Sequence, residues 1–182
     1  MIKKELRKIY KQKRKELTQE QIAGFQQSIE AQIERLDFSK IQNIHIFLPI
    51  EKQKEINTYP IIDFLQAKGK NIIISKSNFK DNTLTHFIFK KDTLLEVNNY
   101  GIPEPVNATP FEVTEIDLVF VPLLISDHNN YRVGYGKGFY DRFLSECKST
   151  IKTIGLNFFK PIDKISDTNA YDIPLDIMIY PK

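Results

Sequence analysis

Three short runs constrain this chain more than any other feature. "IHIFLP" (Ile44 to Pro49), "NIIIS" (Asn71 to Ser75) and "DLVFVP" (Asp117 to Pro122) place β-branched and aromatic residues next to one another instead of alternating them with polar ones. A strand written this way is covered on both faces, the condition of a parallel sheet with helices above and below it. "LTHFIF" (Leu84 to Phe89), a segment near Ile151 to Leu156 and another at Ile177 to Tyr180 supply further strands. Helical spacing fills the intervals. Ile2, Leu6, Ile9, Tyr10 and Leu17 form one apolar stripe, ending around Leu17. "TQEQ" (Thr18 to Gln21) has the form of a capping box, and Ile22, Phe25, Ile29, Ile33 and Leu36 continue a second helix. Thr58 is placed to cap a third, through Pro60, Ile61, Ile62 and Leu65 to Gly69, and a fourth should follow Gly138. The expected architecture is a three-layer α/β domain with a mainly parallel sheet. In such sheets ligands bind at the carboxyl ends of the strands, here the loops after Leu48, Ser75 and Val121. Lys90 to Glu115, containing "NNYGIPEP", reads as a long irregular connection.

At 182 residues a single domain spanning 1–182 is expected, and 41% hydrophobic with 27% charged residues is ordinary for a soluble globular chain. The lone Cys147 cannot form an internal disulfide and no signal peptide is apparent, so the expected setting is cytoplasmic. No apolar run approaches a membrane span. Net charge is only +3, but "KKELRKIYKQKRKEL" concentrates Lys3, Lys4, Arg7, Lys8, Lys11, Lys13, Arg14 and Lys15 against Glu5 and Glu16. Most of these belong on a solvated helix face; a subset would suit an anion site, for phosphate or nucleic acid.

The decisive stretch for chemistry is "RVGYGKGFYDRF" (Arg132 to Phe143). Gly134, Gly136 and Gly138 alternate, which fits neither the dinucleotide fingerprint nor the Walker loop, where a Ser or Thr follows the lysine. Alternate glycines free the backbone to adopt positive φ and to present N–H groups closely to an anion. Glycines alone would suit a flexible turn. Arg132 as a fork and Lys137 as a point charge add phosphate-binding capacity, and the helix after Gly138 adds its positive end. Asp141, one turn into that helix, would repel the anion unless a hard cation lay between them, and Mg²⁺ is the natural choice. The combination reads as a nucleotide-phosphate and magnesium site.

With those residues in hand, "PLLISDHNNYRVGYGKGFYDRFL" (Pro122 to Leu144) resembles the signature of the 5-formyltetrahydrofolate cyclo-ligases, also called methenyltetrahydrofolate synthetases. Lys3 and Arg7 as Lys-x-x-x-Arg, "FLPIEKQKEINT", "GIPEP" and "DIPLDIMIY" match in order along nearly the whole chain. The resemblance implies a Rossmann-like sheet similar to those of sugar-phosphate isomerases and CoA transferases. It also implies an ATP- and Mg²⁺-dependent closure of 5-formyltetrahydrofolate to 5,10-methenyltetrahydrofolate, with the γ-phosphoryl passing to the formyl oxygen before N10 attacks.

Carried over residue by residue, Lys3, Arg7, Arg132, Gly134, Tyr135, Gly136, Lys137, Gly138, Phe139 and Tyr140 would bind ATP, with Arg132, Lys137 and Tyr140 nearest the reacting group. Asp141 and Asp176 would hold the magnesium. Glu55 matches the folate-contacting glutamate, whose carboxylate can accept two parallel bonds from the pterin amino and ring N–H donors. Leu48 or Ile50 lines the same pocket, and Tyr140 touches folate or phosphoryl. Lys137 matches some members of the family, where others have glycine, and the glutamine many relatives carry after "IGLNFF" is missing. The expected partner is 5-formyltetrahydrofolate, with or without a polyglutamate tail; the expected state is a monomer without nucleic acid or membrane. A regulatory or RNA-binding module using the basic helix is the alternative, and an isomerase or transferase on this sheet would need a base or nucleophile for which no motif is seen. His45, His86 and His128 share no metal-ligand spacing, and His45 reads as a packed strand residue.

Overall fold

The computed structural model describes residues 1–182. Helices α1 (Lys3–Glu16) and α2 (Gln19–Glu34) precede β1 (Asn43–His45), α3 (Tyr59–Ala67), β2 (Asn71–Asn78), β3 (Thr83–Phe89), β4 (Leu94–Val97) and β5 (Pro103–Val106). Strands β6 (Leu118–Pro122), β7 (Ile125–Ser126) and β8 (Arg132–Val133), then α4 (Phe139–Glu146), β9 (Lys152–Leu156) and β10 (Ile177–Ile179), complete the chain. The main sheet has the order β10-β9-β6-β1-β2-β3. Its neighbours are parallel except β3, which runs antiparallel to β2 with Ile72 opposite Phe89 and Asn78 opposite Thr83.

The doubly apolar strands are explained by what covers each face. Ile44, Ile46, Ile72, Ile74, Leu118, Phe120, Ile154 and Leu156 pack with Ile29 and Ile33 of α2 and Ile61, Ile62 and Leu65 of α3. The intervening positions, Ile73, Val119 and Val121, meet Phe143 and Leu144 of α4 on the other side. Each such side chain taken wholly from water contributes roughly 2 kcal/mol, so both faces are needed to hold the sheet. A third cluster joins Leu6 and Tyr10 of α1 to Leu124, Ile125 and Val133, and thereby seats α1 over the β7–β8 pair.

Three local expectations change. Residues 90–115 contain the β4–β5 hairpin, with Leu95 opposite Pro105 and Val97 opposite Pro103. Its tip is an Asx turn in which Asn98 Oδ1 accepts from Tyr100 N and Ile102 N. Proline is disfavoured inside a ladder, but a two-stranded ribbon leaves each strand an unpaired side where the missing donors of Pro103 and Pro105 cost nothing. Thr58 precedes α3 without capping it: its hydroxyl donates to Phe47 O at 2.6 Å. Of "IHIFLP" only the first part is strand, since after Ile46 N donates to Ile73 O the chain leaves the ladder.

Candidate functional site

A cavity of about 480 Å³ opens at the carboxyl ends of β1, β2 and β6, where His45, Ser75 and Pro122 form part of its wall. Lys3 and Arg7 of α1, the loop carrying Leu48, Ile50 and Glu55, and the segment from Gly134 to Asp141 line the rest. The cavity thus lies at the strand ends where ligands were expected to bind, and both Leu48 and Ile50 line it.

The β7–β8 pair, with Ile125 opposite Val133 and Ser126 opposite Arg132, delivers the glycine segment to the cavity. Gly136 has φ +95 and Gly138 φ +72, and Gly138 is the residue from which α4 begins. A Cβ on Gly136 would lie 3.0 Å from Cζ of Arg7, so this glycine makes room for a guanidinium. Arg7 Nε donates to Gly134 O at 2.9 Å. Gly134 differs: a Cβ there would meet nothing within 4 Å, so that space is not taken by protein. Lys137 is exposed, while its carbonyl accepts from Arg142 Nη1. Phe139 and Tyr140 both line the cavity.

Two ion pairs organise the charges. Lys3 Nζ contacts both carboxylate oxygens of Asp172. Arg132 Nη2 donates to Asp141 Oδ1 at 2.7 Å and its Nη1 to Ile173 O at 2.6 Å. With a side chain only 7% exposed, Arg132 has both its terminal nitrogens engaged by protein; it holds Asp141 where the sequence suggested a free phosphate fork. Burial lowers its proton affinity, while Asp141 opposes that change. Asp176 stands apart from the cavity: its Oδ2 accepts from Thr153 N at 2.8 Å and Thr153 Oγ1 at 2.9 Å, a local fastening between β9 and the start of β10. The aspartate that joins Asp141 in the wall is Asp172, four residues earlier in the same "DIPLDIMIY" stretch. No group of three or more His, Cys, Asp or Glu side chains comes together.

Glu55 is held on both oxygens. Its Oε2 accepts from Ile50 N at 2.8 Å and its Oε1 from the Tyr135 hydroxyl at 2.5 Å. Tyr135 therefore points at the glutamate, away from the role expected of it as a triphosphate contact. Its hydroxyl also accepts from Arg14 Nη1 at 3.1 Å. Burial pushes the Glu55 carboxyl above its ordinary range, against the lowering influence of Tyr135, Ile50 N and Arg14. Burial first, then the nearby Glu55, raises the Tyr140 phenol, which stays protonated at neutral pH.

Beneath these residues His45 Nε2 meets Ser75 Oγ at 2.6 Å, and Ser75 Oγ meets His86 Nδ1 at 3.0 Å. His45 is fully buried, in keeping with a packed residue, and desolvation lowers both imidazoles, His86 to about 4. Cys147 is a half-buried thiol raised to about 11, with no activating partner. Asp127, inside the signature stretch, is structural: its Oδ1 accepts from Asn129 N and Tyr131 N, its Oδ2 from Ile165 N.

Sequence reasoning passed over Asp172, Arg14 and the His45–Ser75–His86 chain. Arg14 had a legible signal, because Leu6, Tyr10 and Arg14 are spaced by four and share the inward face of α1. His45, Ser75 and His86 come together only through the pairing of β1, β2 and β3, and Asp172 reaches the cavity wall through its contact with Lys3 of α1.

The chain matches the family model described as the 5-formyltetrahydrofolate cyclo-ligase family over residues 1–181. It is 29% identical over 186 residues to the 5-formyltetrahydrofolate cyclo-ligase of Haemophilus influenzae, covering 98% of this chain and 95% of that protein. It is 30% identical over 121 residues to the Schizosaccharomyces pombe protein named "Probable 5-formyltetrahydrofolate cyclo-ligase", covering 64% of this chain and 58% of that one. Its fold superposes on the NMR structure of Aquifex aeolicus 5,10-methenyltetrahydrofolate synthetase with a TM-score of 0.82 at 28% identity, covering 99% of this chain and 90% of the other. With a match along essentially its whole length and a fold to agree with it, the chain belongs to the 5-formyltetrahydrofolate cyclo-ligase family.

Proposed function

We propose that this chain catalyses the ATP-dependent closure of 5-formyltetrahydrofolate to 5,10-methenyltetrahydrofolate, releasing ADP and phosphate. The observation that carries the reading is the convergence on one cavity of a glycine segment flanked by Lys3 and Arg7 with the two-handed acceptor Glu55. A formamide carbonyl is a poor electrophile and its oxygen a poor leaving group. Transfer of the γ-phosphoryl to that oxygen makes both good, N10 attacks the activated carbon, the five-membered ring closes and phosphate departs. The protein's share is positioning and charge neutralisation.

Each role rests on an observed placement. Lys3 has three N–H donors, so its contact with Asp172 leaves capacity for phosphate oxygens. Arg7, laid over Gly136, faces the same space, and Gly134 leaves it open. Lys137 at the exposed edge adds a point charge. Glu55 accepts from the pterin, and the protonated Tyr140 hydroxyl donates to the oxygen that gains charge as the phosphoryl moves. Leu48 and Ile50 provide apolar wall.

The residues fit a magnesium ion. Oδ1 of Asp141 is taken by Arg132 and Ile173 N, while Oδ2 has no protein partner on the cavity wall. One or two carboxylates plus substrate phosphates are what Mg²⁺ ordinarily uses, and Asp141, with Asp172 beside the same space, would hold it. There it would neutralise phosphate charge. The basic α1 has no need of RNA: Lys3 and Arg7 face the cavity and Arg14 is buried. The chain's work is expected to proceed as a monomer in the cytoplasm.

The test is direct. Purified protein with 5-formyltetrahydrofolate, Mg²⁺ and ATP should develop the ultraviolet absorption of the methenyl product, and absorption that grows equally without ATP, or not at all, would overturn the assignment.

A further inference from the structure

Arg14 is a buried cation that the phosphate site does not use. It is 5% exposed, its Nη2 donates to Leu123 O, its Nη1 donates to the Tyr135 hydroxyl at 3.1 Å, and its Nε has no acceptor. A guanidinium withdrawn from water costs several kcal/mol unless a counter-charge compensates it, yet no carboxylate touches it. The anion that answers it lies one hydroxyl away. Arg14 can only donate, so the phenol accepts from Arg14 and directs its single proton to Glu55 Oε1 at 2.5 Å. With Glu55 ionised that bond is charge-assisted and stronger than the one a neutral carboxyl would accept through its carbonyl oxygen, so the polarity favours the carboxylate.

The same end of α1 holds Glu55 by a second route. Lys54, in the left-handed region at φ +46, sends its ammonium to Lys15 O at 2.7 Å and Leu17 O at 2.8 Å, the carbonyls where α1 ends. The backbone around Glu55 is thereby tied to the helix that carries Lys3 and Arg7, and Tyr135 sits between the two glycines Arg7 engages.

We propose that Arg14 and Tyr135 are positioning residues that hold Glu55 ionised and aimed at the pterin, fastening folate recognition to the helix that also carries the phosphate-binding side chains. The inference rests on the reading of Glu55 as the pterin acceptor. One ring of bonds then serves both substrates: Arg7 on the glycine segment for the nucleotide, Tyr135 of that segment on Glu55 for the folate. The groups facing Glu55 are Arg14, Tyr135 and the neutral Tyr140, and loss of either of the first two favours protonation of the carboxyl.

Steady-state kinetics with each substrate varied in turn, from pH 5.5 to 8.5, test it on the full chain and on Tyr135→Phe, Arg14→Gln and Glu55→Gln. Tyr135→Phe should raise the KM for 5-formyltetrahydrofolate about tenfold, leave the KM for ATP within twofold, and move the acidic limb of kcat/KM for folate to higher pH. Arg14→Gln should show the same folate-selective pattern; if thermal melting shows it unfolded, Tyr135→Phe, which removes one oxygen, decides. An unchanged folate KM in Tyr135→Phe, a proportional rise in both KM values, or an unmoved acidic limb would overturn the proposal. The failures are separable: an inactive wild type overturns the cyclo-ligase reading, an active wild type with normal folate KM in Glu55→Gln overturns the pterin acceptor, and a folate defect in Glu55→Gln without one in Tyr135→Phe overturns only the positioning pair.

Discussion

Gly136 and Asp141 show how single positions set the chemistry here. Gly136 combines φ +95 with a neighbour, Arg7, that leaves a Cβ only 3.0 Å from its Cζ. Gly136→Ala therefore strains the backbone by roughly 1–2 kcal/mol and displaces the guanidinium, which at its far end can shift. The expected result is a several-fold higher KM for ATP with a smaller change in folate KM, read from initial rates with each substrate varied; equal KM values in variant and wild type would remove Arg7 from the nucleotide site. Asp141→Asn keeps the shape but loses the charge that pairs with Arg132 and would bind the cation. Loss of turnover by at least about a hundredfold is expected, with substrate affinities less affected, because removed charge stabilisation acts mainly at the transition state. Titration with Mg²⁺ checks the assignment, since activity in the variant should require more of the ion.

Among the elements, α2 was the most fully written in advance. Its capping box is present as read: Thr18 Oγ1 accepts from Gln21 N at 3.1 Å and Gln21 Oε1 accepts from Thr18 N at 2.9 Å. Thr18→Ala should lower unfolding free energy by about 1 kcal/mol in urea denaturation while leaving both KM values alone, because the cap lies outside the cavity wall. Where expectation failed, local chemistry was outvoted by partners distant in sequence. Thr58 carries a capping side chain, but Phe47 O lies within its reach and takes the hydroxyl. The β4–β5 ribbon exposes Leu94 and Val97 and contains two prolines, so no alternation marks it, and its register comes from the turn at Asn98. The site divides in the same way. Its loop, its basic helix and Glu55 announce themselves through residue type and order, whereas the turning of Tyr135 toward Glu55 and of Arg132 toward Asp141 depends on how β8 and α4 seat against α1. Asp172 and Asp176 are equivalent by composition; it is the pairing of Thr153 with Asp176 and of Lys3 with Asp172 that separates them.

For the molecule as a whole, the sheet's two apolar faces were legible, but the polar seam between the sheet and α4 was not. His45, Ser75 and His86 bind β1, β2 and β3 together there, and Phe143 of α4 packs on both imidazoles at 4.7 and 4.3 Å between ring centroids. Both rings are neutral in the native state because burial disfavours their charged forms. In the unfolded chain each would titrate near its ordinary 6.5. Below that pH the unfolded state binds more protons than the native one, so stability is fully present above about 6.5 and declines as pH falls toward about 4, where His86 finally charges in the fold. For His86 alone the loss at pH 5 is about 2 kcal/mol, and His45, shifted in the same direction, adds to it. The raised carboxyl of Glu55 acts in the opposite sense at the acidic end of this range. Comparing wild type with His86→Gln, which keeps a hydrogen-bonding group toward Ser75 but cannot titrate, cancels that contribution. Urea unfolding at pH 7.5 and pH 5 should show the wild type losing about 2 kcal/mol more than the variant between the two pH values. A wild type and a variant with the same pH dependence would mean that His86 charges as readily in the native sheet as in the unfolded chain, and that the seam is open to water.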